Sequence, residues 1–301
     1  MPEFDVPFSN FGETLALVTA VTWAFAVILF KKSGESVHPL TLNLFKNLLA
    51  FILFIPTVYI FGNELFRPVP SNEYWLLIIS GIIGIGIGDT LFLKSLNLLG
   101  AGLQSIVSCM YSPSIITLSF VWLGESMSAL QIIGAVMIIS AVLTAVSRKG
   151  KGNISRKNLI WGISLGIISH AASAVGIVMI KTLLERSPLL WVTEIRLFGG
   201  IVALLIVFFL HPDRRNILKS IHSRRSWGYT ISGSFMGAYL AMVLWLAGMK
   251  YTQASIAAAL NQTSNVFVFI FAWLLLRETI NAQRVIGIIL AISGVLLVTF
   301  A

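Results

Sequence analysis

Charged residues and cysteines are scarce in this 301-residue sequence. Only 11% of its residues are charged and 57% are hydrophobic, whereas roughly 25% of a soluble domain is charged. The single cysteine, Cys109, excludes an intrachain disulfide and a metal site built from cysteines. The sequence contains neither the nucleotide-binding pattern G-x-x-x-x-G-K-[ST] nor the zinc-binding pattern H-E-x-x-H, so it predicts no ATP hydrolysis, metal or cofactor.

Long apolar stretches, by contrast, fill the sequence. Each stretch has about 20 residues, enough for a helix that crosses a ~30 Å hydrocarbon core. Helices are favoured because a backbone in lipid has to satisfy its own N–H and C=O groups. We therefore predict an all-α membrane protein with ten transmembrane helices. The predicted spans are 12–31, 40–62, 75–97, 102–122, 127–146, 158–180, 189–210, 228–249, 254–276 and 282–301.

The second half of the sequence repeats the first at an offset of 153 residues. Ser108 aligns with Asn261, and Glu125 aligns with Glu278. Each copy holds five predicted spans, and an odd number of spans inverts the second copy relative to the membrane. Inverted repeats are typical of secondary transporters, whose binding sites lie between the repeats near the bilayer midplane. The predicted units are a first repeat at 10–147, a basic linker at 148–156 and a second repeat at 157–301.

Lysine and arginine are distributed unevenly among the predicted loops. Loops after odd-numbered spans hold fourteen of them, and loops after even-numbered spans hold Arg67, Lys181, Arg186 and Lys250. Since positively charged loops tend to stay cytoplasmic, this count predicts that both termini lie outside. The net charge of +9 fits anchoring of these loops at an anionic lipid leaflet. It does not predict a nucleic-acid partner.

The segment Leu123–Ala135, with its sequence LGESMSALQIIGA, resembles the EamA pattern of the drug/metabolite transporter superfamily. So do Gly102–Pro113 before it and the LRET segment from Leu276 in the second copy. The resemblance implies ten helices, alternating access without ATP, a multi-pass protein of the plasma (inner) membrane, and cytoplasmic termini, contrary to the loop charges. In similar proteins the last helix of each repeat can support a homodimer. Glu125 and Glu278 match the same pattern at helix starts, where a carboxylate stabilises the helix dipole.

Polar side chains on the fourth and ninth spans predict a binding cavity. Ser108 and Ser112 share one helix face, and their counterparts in the second copy carry amides that can both donate and accept hydrogen bonds. Alternatively, these groups only join neighbouring helices, each contributing about 0.6–2 kcal/mol. Tyr111 and Trp245 add aromatic surface. The predicted substrate-binding residues are Ser108, Tyr111, Ser112, Trp245, Asn261, Gln262 and Asn265.

Ionisable residues inside the spans are candidates for coupling or gating, because a charge at mid-membrane costs at least about 2.5–3.5 kcal/mol. Asp89 either titrates a proton, contacts a substrate ammonium, or pairs with Lys46 or Lys94. Lys94 lies near a helix end and can also extend to the headgroups. Lys46 and Arg196 correspond at an offset of 150 and match a basic position of the EamA repeat, which suggests a structural or gating cation. His170 either lines the cavity or only packs against neighbouring helices.

These patterns together predict a secondary carrier that moves a small polar, amino-acid-like metabolite across the membrane by alternating access. Two alternatives stay open: a phosphorylated-metabolite or nucleotide-sugar antiporter of the same superfamily, and a channel. Protons are a candidate coupling ion, and membrane lipid is the expected surrounding partner. No enzyme is predicted, because Asp89, Cys109 and His170 lie on different predicted helices without a recognised catalytic spacing.

Overall fold

The chain folds into a bundle of apolar helices. The computed structural model describes residues 10–61, 64–124, 126–146, 154–221, 226–252 and 254–300, and these residues form helices and connections without a strand. The long helices are α1 (Phe11–Ser33), α2 (Pro39–Ile60), α3 (Ser71–Leu99), α4 (Ala101–Leu123), α5 (Ala129–Val146), α6 (Arg156–Val178), α7 (Leu189–Leu210), α8 (Trp227–Met249), α9 (segments Ala254–Gln262 and Ser264–Leu276) and α10 (Ala282–Phe300). Short helices at Lys181–Arg186 and Arg214–Ser220 follow α6 and α7.

Most of these helices are long and apolar enough to cross a membrane. Within the described residues, eight meet both conditions, namely α1 to α4, α6 to α8 and α10. The other two predicted spans contain the shorter apolar helices Ala129–Ala145 and Leu260–Leu276. Large apolar side chains such as Val136, Leu143 and Ile289 are exposed on the outside of the bundle, as expected for a surface covered by lipid. The predicted class of helical membrane protein is confirmed.

Several helices begin at side chains that cap their free N–H groups. His38 accepts a hydrogen bond from the Leu40 N–H at the start of α2, and Ser155 accepts one at the start of α6. Ser128 and Gln131 bond each other's backbone N–H before α5, at 3.0 and 3.1 Å. This is the reciprocal arrangement expected from a Ser-x-x-Gln sequence.

The same helix irregularities occur in both halves of the chain. The third helix of each half contains a seven-residue π-helical segment, Ile82–Gly88 in α3 and Ser234–Leu240 in α8. The fourth helix ends in each half with a left-handed residue, Gly124 at φ +68° and Arg277 at φ +54°. Because π-helical segments are uncommon and occur frequently at functional sites, their recurrence indicates that the duplication preserved local backbone geometry as well as sequence.

Equivalent helices of the two halves pack directly against each other. A Cβ atom on Gly134 of α5 would lie 2.6 Å from the Gly294 carbonyl oxygen of α10, and one on Gly287 would lie 3.3 Å from the Ala141 carbonyl oxygen. At the offset of 153, Gly134 corresponds to Gly287 and Ala141 to Gly294, so the two contacts exchange equivalent positions. Gly134 of α5 meets Gly294 of α10, and the later Ala141 of α5 meets the earlier Gly287 of α10. The two helices are therefore antiparallel.

The first helix of each half packs mainly on the other half. α1 contacts α8 and α9, whereas α6 contacts α3 and α4, and α2 contacts α7. Glycines allow α3 and α7 to approach closely, since a Cβ on Gly81 would overlap the carbonyl oxygen of Arg196, and one on Gly199 would overlap that of Ile78. The two halves are thus interleaved, and side chains from both of them line the interior.

Candidate functional site

Ser108, Tyr111 and His170 lie together between α4 and α6. The Ser108 hydroxyl lies 3.1 Å from Nε2 of His170 and donates to the Gln104 carbonyl oxygen at 2.9 Å. The ring centroids of Tyr111 and His170 are 6.4 Å apart, within the range of an edge-to-face aromatic pair. The fourth helix of the first half and the first helix of the second half therefore share a polar contact.

Ser112, Gln262 and Asn265 continue this polar region from α4 to α9. The Gln262 amide nitrogen donates to the Ser112 hydroxyl at 3.0 Å, and the Asn265 amide nitrogen donates to the Gln262 side-chain oxygen at 3.4 Å. Ser112 and Asn265 correspond under the sequence offset. The structure thus brings polar side chains from the fourth helix of each half into contact.

A cavity of about 330 Å³ opens beside these residues. Its size is at the lower end of ligand pockets, which span about 300–1,000 Å³, and suits a small solute. Its lining comes from α4, α5, α9 and α10, from the α4–α5 loop and from the segment that follows α6. The lining residues are Tyr111, Ser112, Ile115, Ile116, Ser119, Phe120, Ser126, Met127, Gln131, Lys181, Gln262, Val298 and Thr299.

Breaks in α4 and α9 lie at the level of this cavity. In α4 the N–H groups of Cys109 and Met110 bond carbonyl oxygens three residues back, at 3.2 and 3.0 Å. In α9 the Thr263 N–H bonds the Leu260 carbonyl oxygen in the same way, at 3.1 Å. Pro113 has no N–H to donate, which further weakens the ladder in α4. Both helices that supply the polar side chains are therefore discontinuous, as in many transporter binding sites.

Asp89 and Lys46 form an ion pair between α3 and α2. The Lys46 ammonium lies 2.6 Å from Oδ2 of Asp89, and the two side chains are 8% and 33% exposed, respectively. The ammonium also donates to the Asn47 side-chain oxygen at 3.2 Å. Nearby, the Asn43 amide donates at 2.9 Å to the Ile85 carbonyl oxygen inside the π-helical segment. Among the arrangements considered for Asp89, the pair with Lys46 is the one present in the structure.

Arg196 and Lys94 are not among the residues that line the cavity, although Arg196 interacts electrostatically with the lining residue Tyr111. The Arg196 guanidinium donates to the Ser80 hydroxyl at 2.9 Å, and that hydroxyl donates to the Gly176 carbonyl oxygen at 2.5 Å, which joins α7, α3 and α6.

Lys94 is exposed on the same side of the bundle as His38. Burial, together with the charges of His211 and Lys94, lowers the pKa of His38.

Trp245 and Asn261 each keep a buried polar atom without a hydrogen-bond partner among the described residues. These atoms are Nε1 of the Trp245 indole and Oδ1 of the Asn261 amide. Neither residue lines the cavity described above. An unpaired buried polar group costs about 1–3 kcal/mol, so these two atoms are energetically unfavourable in this packing arrangement.

The sequence matches the EamA-like transporter family twice, over residues 10–147 and 160–300. The chain belongs to the EamA-like transporter family. Its relatives include an uncharacterized transporter of Archaeoglobus fulgidus, which is 25% identical over 288 residues and is matched over 94% of this chain and 96% of its own length. The uncharacterized transporter YvbV of Bacillus subtilis is 22% identical, with 94% and 88% of the two chains covered.

A solved crystal structure supports the fold of this EamA protein. It superposes with a TM-score of 0.66 over 97% of this chain and 96% of the other, at 16% sequence identity. At that identity the likeness concerns the fold alone. The family match and the apolar helices identify a multi-pass integral membrane protein, and the plasma membrane is the usual location of such transporters.

Glu278 of the second EamA repeat caps a helix of the first repeat. Its two carboxylate oxygens accept hydrogen bonds from the N–H groups of Ala101 and Gly102 at 2.7 and 3.0 Å. The sequence placed Glu278 at the start of α10, but its carboxylate instead stabilises the N-terminus of α4. The turn that permits this contact includes Gly100, at φ +83°. Glu125, its sequence counterpart, lies outside the described residues.

Sequence reasoning missed several residues that the EamA fold places inside. Gln131 and Lys181 line the cavity, although Gln131 was recognisable from its alignment with Arg284 at the offset of 153. Glu194 is the clearest omission. It is only 1% exposed, and both of its carboxylate oxygens are buried without a hydrogen-bond partner among the described residues. Its signal in the sequence was an acidic residue inside an apolar span.

Proposed function

We propose that this EamA protein is a secondary carrier that moves a small polar, amino-acid-like metabolite by alternating access. In this proposal ten transmembrane helices form two inverted repeats, 10–147 and 157–301, joined by a basic linker at 148–156. The exchanged, antiparallel contacts of α5 and α10 support the inversion, because equivalent helices on a pseudo-twofold axis in the membrane plane pack in this way. Alternating access would then rock one set of helices against the other.

The observation that carries the proposed substrate class is the lining of the cavity. Hydroxyl and amide groups from Ser112, Gln131 and Gln262 can replace the water around a polar solute, since they both donate and accept. Lys181 is the single cationic side chain among the described lining residues. This lining favours a neutral or zwitterionic solute over a phosphorylated metabolite or nucleotide sugar, which would require more positive charge.

The remaining predicted residues would serve the conformational change. Ser108, Tyr111 and His170 would respond to the solute across α4 and α6, and Asn265 would orient the Gln262 amide. Asn261 and Trp245, which lie outside the cavity lining in this arrangement, would contact the solute only after the helices move. Lys46 and Asp89 would act as a gating pair, with Arg196 and Lys94 as supporting cations. Protons as the coupling ion and a homodimer formed through the last helix of each repeat are further parts of this proposal.

Transport by purified protein in proteoliposomes tests the proposal. Counterflow of labelled amino acids and related polar metabolites should saturate with concentration, and a metabolite that moves should also raise the melting temperature of the detergent-purified protein. Gln262→Ala and Ser112→Ala should each weaken apparent affinity about 2- to 10-fold, the equivalent of one neutral hydrogen bond. Ser114→Ala is the matched control, because that hydroxyl donates only to the Met110 carbonyl oxygen of its own helix, at 2.9 Å.

Three results would contradict the proposal. Non-saturating flux far above carrier rates would identify a channel. Selective counterflow of nucleotide sugars or phosphorylated metabolites would identify the antiporter alternative. An effect of Ser114→Ala equal to that of Gln262→Ala would exclude the cavity as the binding site. For coupling through Asp89, Asp89→Asn should abolish the dependence of uptake on a pH gradient, and an unchanged dependence refutes that role.

A further inference from the structure

Glu194 has an unusual environment for a carboxylate. It belongs to the stripe of α7 that also contains Leu190 and Leu197, which pack against Phe54 and Val58 of α2. Residues three and four positions apart share a helix face, so the Glu194 carboxylate lies on the same α2-facing side of α7 as these leucines. The residue is 1% exposed, and each carboxylate oxygen has less than 1 Å² of accessible surface.

Such a carboxylate needs a neutralising partner. The effective penalty for burying an unpaired ion in a protein is several kcal/mol. Neither oxygen accepts a hydrogen bond among the described residues, and their near-zero accessible surface leaves no water-sized space beside them. A hydrated cation or a water molecule therefore does not fit. A proton is the one occupant that requires no additional space.

The ionisable groups around α7 have other partners or lie elsewhere. On the helices packed against α7, Lys46 pairs with Asp89, and Glu73 near the start of α3 pairs with Arg186. Arg196 of α7 itself bonds Ser80. Arg67 lies over the Trp191 ring, and the Tyr239 hydroxyl is hydrogen-bonded to Thr57. Arg214 lies beyond the far end of α7, where it donates to the Phe209 carbonyl oxygen. Lys94 is exposed.

The first half of the chain shows that packing alone does not require an acid at this position. At the offset of 150 that relates Lys46 to Arg196, the counterpart of Glu194 is Leu44. Leu44 is 9% exposed and packs in the same α2–α7 contact, toward its opposite end. Leucine therefore satisfies the equivalent position in the other repeat. The second repeat carries a titratable group where the first carries an aliphatic one.

We propose that Glu194 is a proton-binding site of this protein. Its carboxylate holds a proton while α7 lies against α2, and it releases that proton to water when the two helices separate. The binding step itself is independent of any cargo. The release step rests on the proposed function, because it requires the rocking motion of a carrier.

Infrared spectroscopy of the purified protein tests the proton-binding step without any transported solute. At pH 7 the wild-type protein should show the carbonyl stretching band of a protonated carboxylic acid, and Glu194→Gln should remove it. Glu194→Asp should shift the band rather than remove it, which identifies the residue. Glu73→Gln is the matched control, because the Glu73 carboxylate is also largely buried, at 13% exposed, but is ion-paired with Arg186 at 2.8 Å, and it should leave the band in place.

Charge movement tests the release step. Proteoliposomes adsorbed on a solid-supported membrane should give a transient current after a pH jump, and Glu194→Gln and Glu194→Leu should reduce that current at least tenfold. Absence of the protonated-acid band from the wild-type protein overturns the proposal even if the variants fail to fold. An unchanged band or an unchanged current in Glu194→Gln also overturns it. A band without transport of any metabolite refutes the carrier function and leaves the proton site standing.

Discussion

The ion pair between Lys46 and Asp89 gives the sharpest prediction about stability. Lys46 is almost fully buried, whereas a third of the Asp89 side chain is exposed. Removing one member of a buried pair costs about 3–5 kcal/mol, because the other charge stays buried without its partner. Asp89→Leu strands the buried ammonium, which keeps only the Asn47 amide oxygen at 3.2 Å. We expect it to lower the free energy of unfolding by about 3–4 kcal/mol.

The reverse substitution should be milder. Lys46→Met leaves a carboxylate that water can partly reach, so we expect a loss of about 1–2 kcal/mol. The double variant Lys46→Met/Asp89→Leu removes both charges and should lie within about 1 kcal/mol of the wild type, since apolar replacement of a whole buried pair is often neutral.

Denaturation of the detergent-solubilised protein by increasing dodecyl sulfate, followed by tryptophan fluorescence, measures these differences. Lys94→Met is the control, because Lys94 lies on the same helix as Asp89 but is exposed, and it should leave the midpoint unchanged. If the losses of the two single variants simply add in the double variant, there is no energetic coupling between Lys46 and Asp89. The reasoning about the pair would then be wrong.

Three further predictions use the same unfolding assay. Gly134→Val should lower the free energy of unfolding by about 1–3 kcal/mol, because it overpacks the contact with Gly294. Gly228→Ala is the control, since the space around its Cβ position is open, and it should have no comparable effect. Equal losses in the two variants would contradict the contact. Arg277→Gly should stabilise the protein by about 0.5–1 kcal/mol because it relieves a positive φ of +54°, and a loss would show that the side chain contributes more than the strain costs. The pKa of His38 is lowered by burial and by nearby positive charge, so the unfolded chain binds the His38 proton more tightly than the folded protein does. Stability should therefore fall as the pH drops below the ordinary pKa of 6.5. His38→Gln should flatten this pH dependence, and an unchanged slope would exclude His38 as its source.

The helices of the fold were readable from the sequence because apolar stretches of membrane length have few alternatives. The predicted spans at 127–146 and 158–180 begin within two residues of the observed helix starts, Ala129 and Arg156. The packing of the helices was not readable, because contacts such as that of Gly134 with Gly294 join residues 160 positions apart. Helical spacing predicts which residues share a face, but it does not predict the helix that the face meets.

Comparison of the two halves of the sequence identified some of the polar residues that the structure brings together. Ser112 and Gln262, which belong to the two polar stripes of the sequence, are hydrogen-bonded to each other at 3.0 Å. Glu194 was overlooked because its counterpart in the first half is Leu44, which is not ionisable. A comparison of the two halves emphasises positions where both halves carry polar or charged residues. Glu278 could be assigned to a helix start from sequence, but its contact with the distant Ala101 depends on tertiary structure.

The interleaving of the two halves has a consequence for biosynthesis. About 200 residues separate α1 from α8 and α9, so at 5–20 residues per second α1 leaves the ribosome roughly 10–40 s before its packing partners. During that interval it lies in lipid with its partner-facing side uncovered. The hydroxyls of Thr19 and Thr22 donate to carbonyl oxygens of the same helix, at 2.8 and 2.7 Å. The nascent helix can therefore remain in the bilayer with both hydroxyl donors already paired.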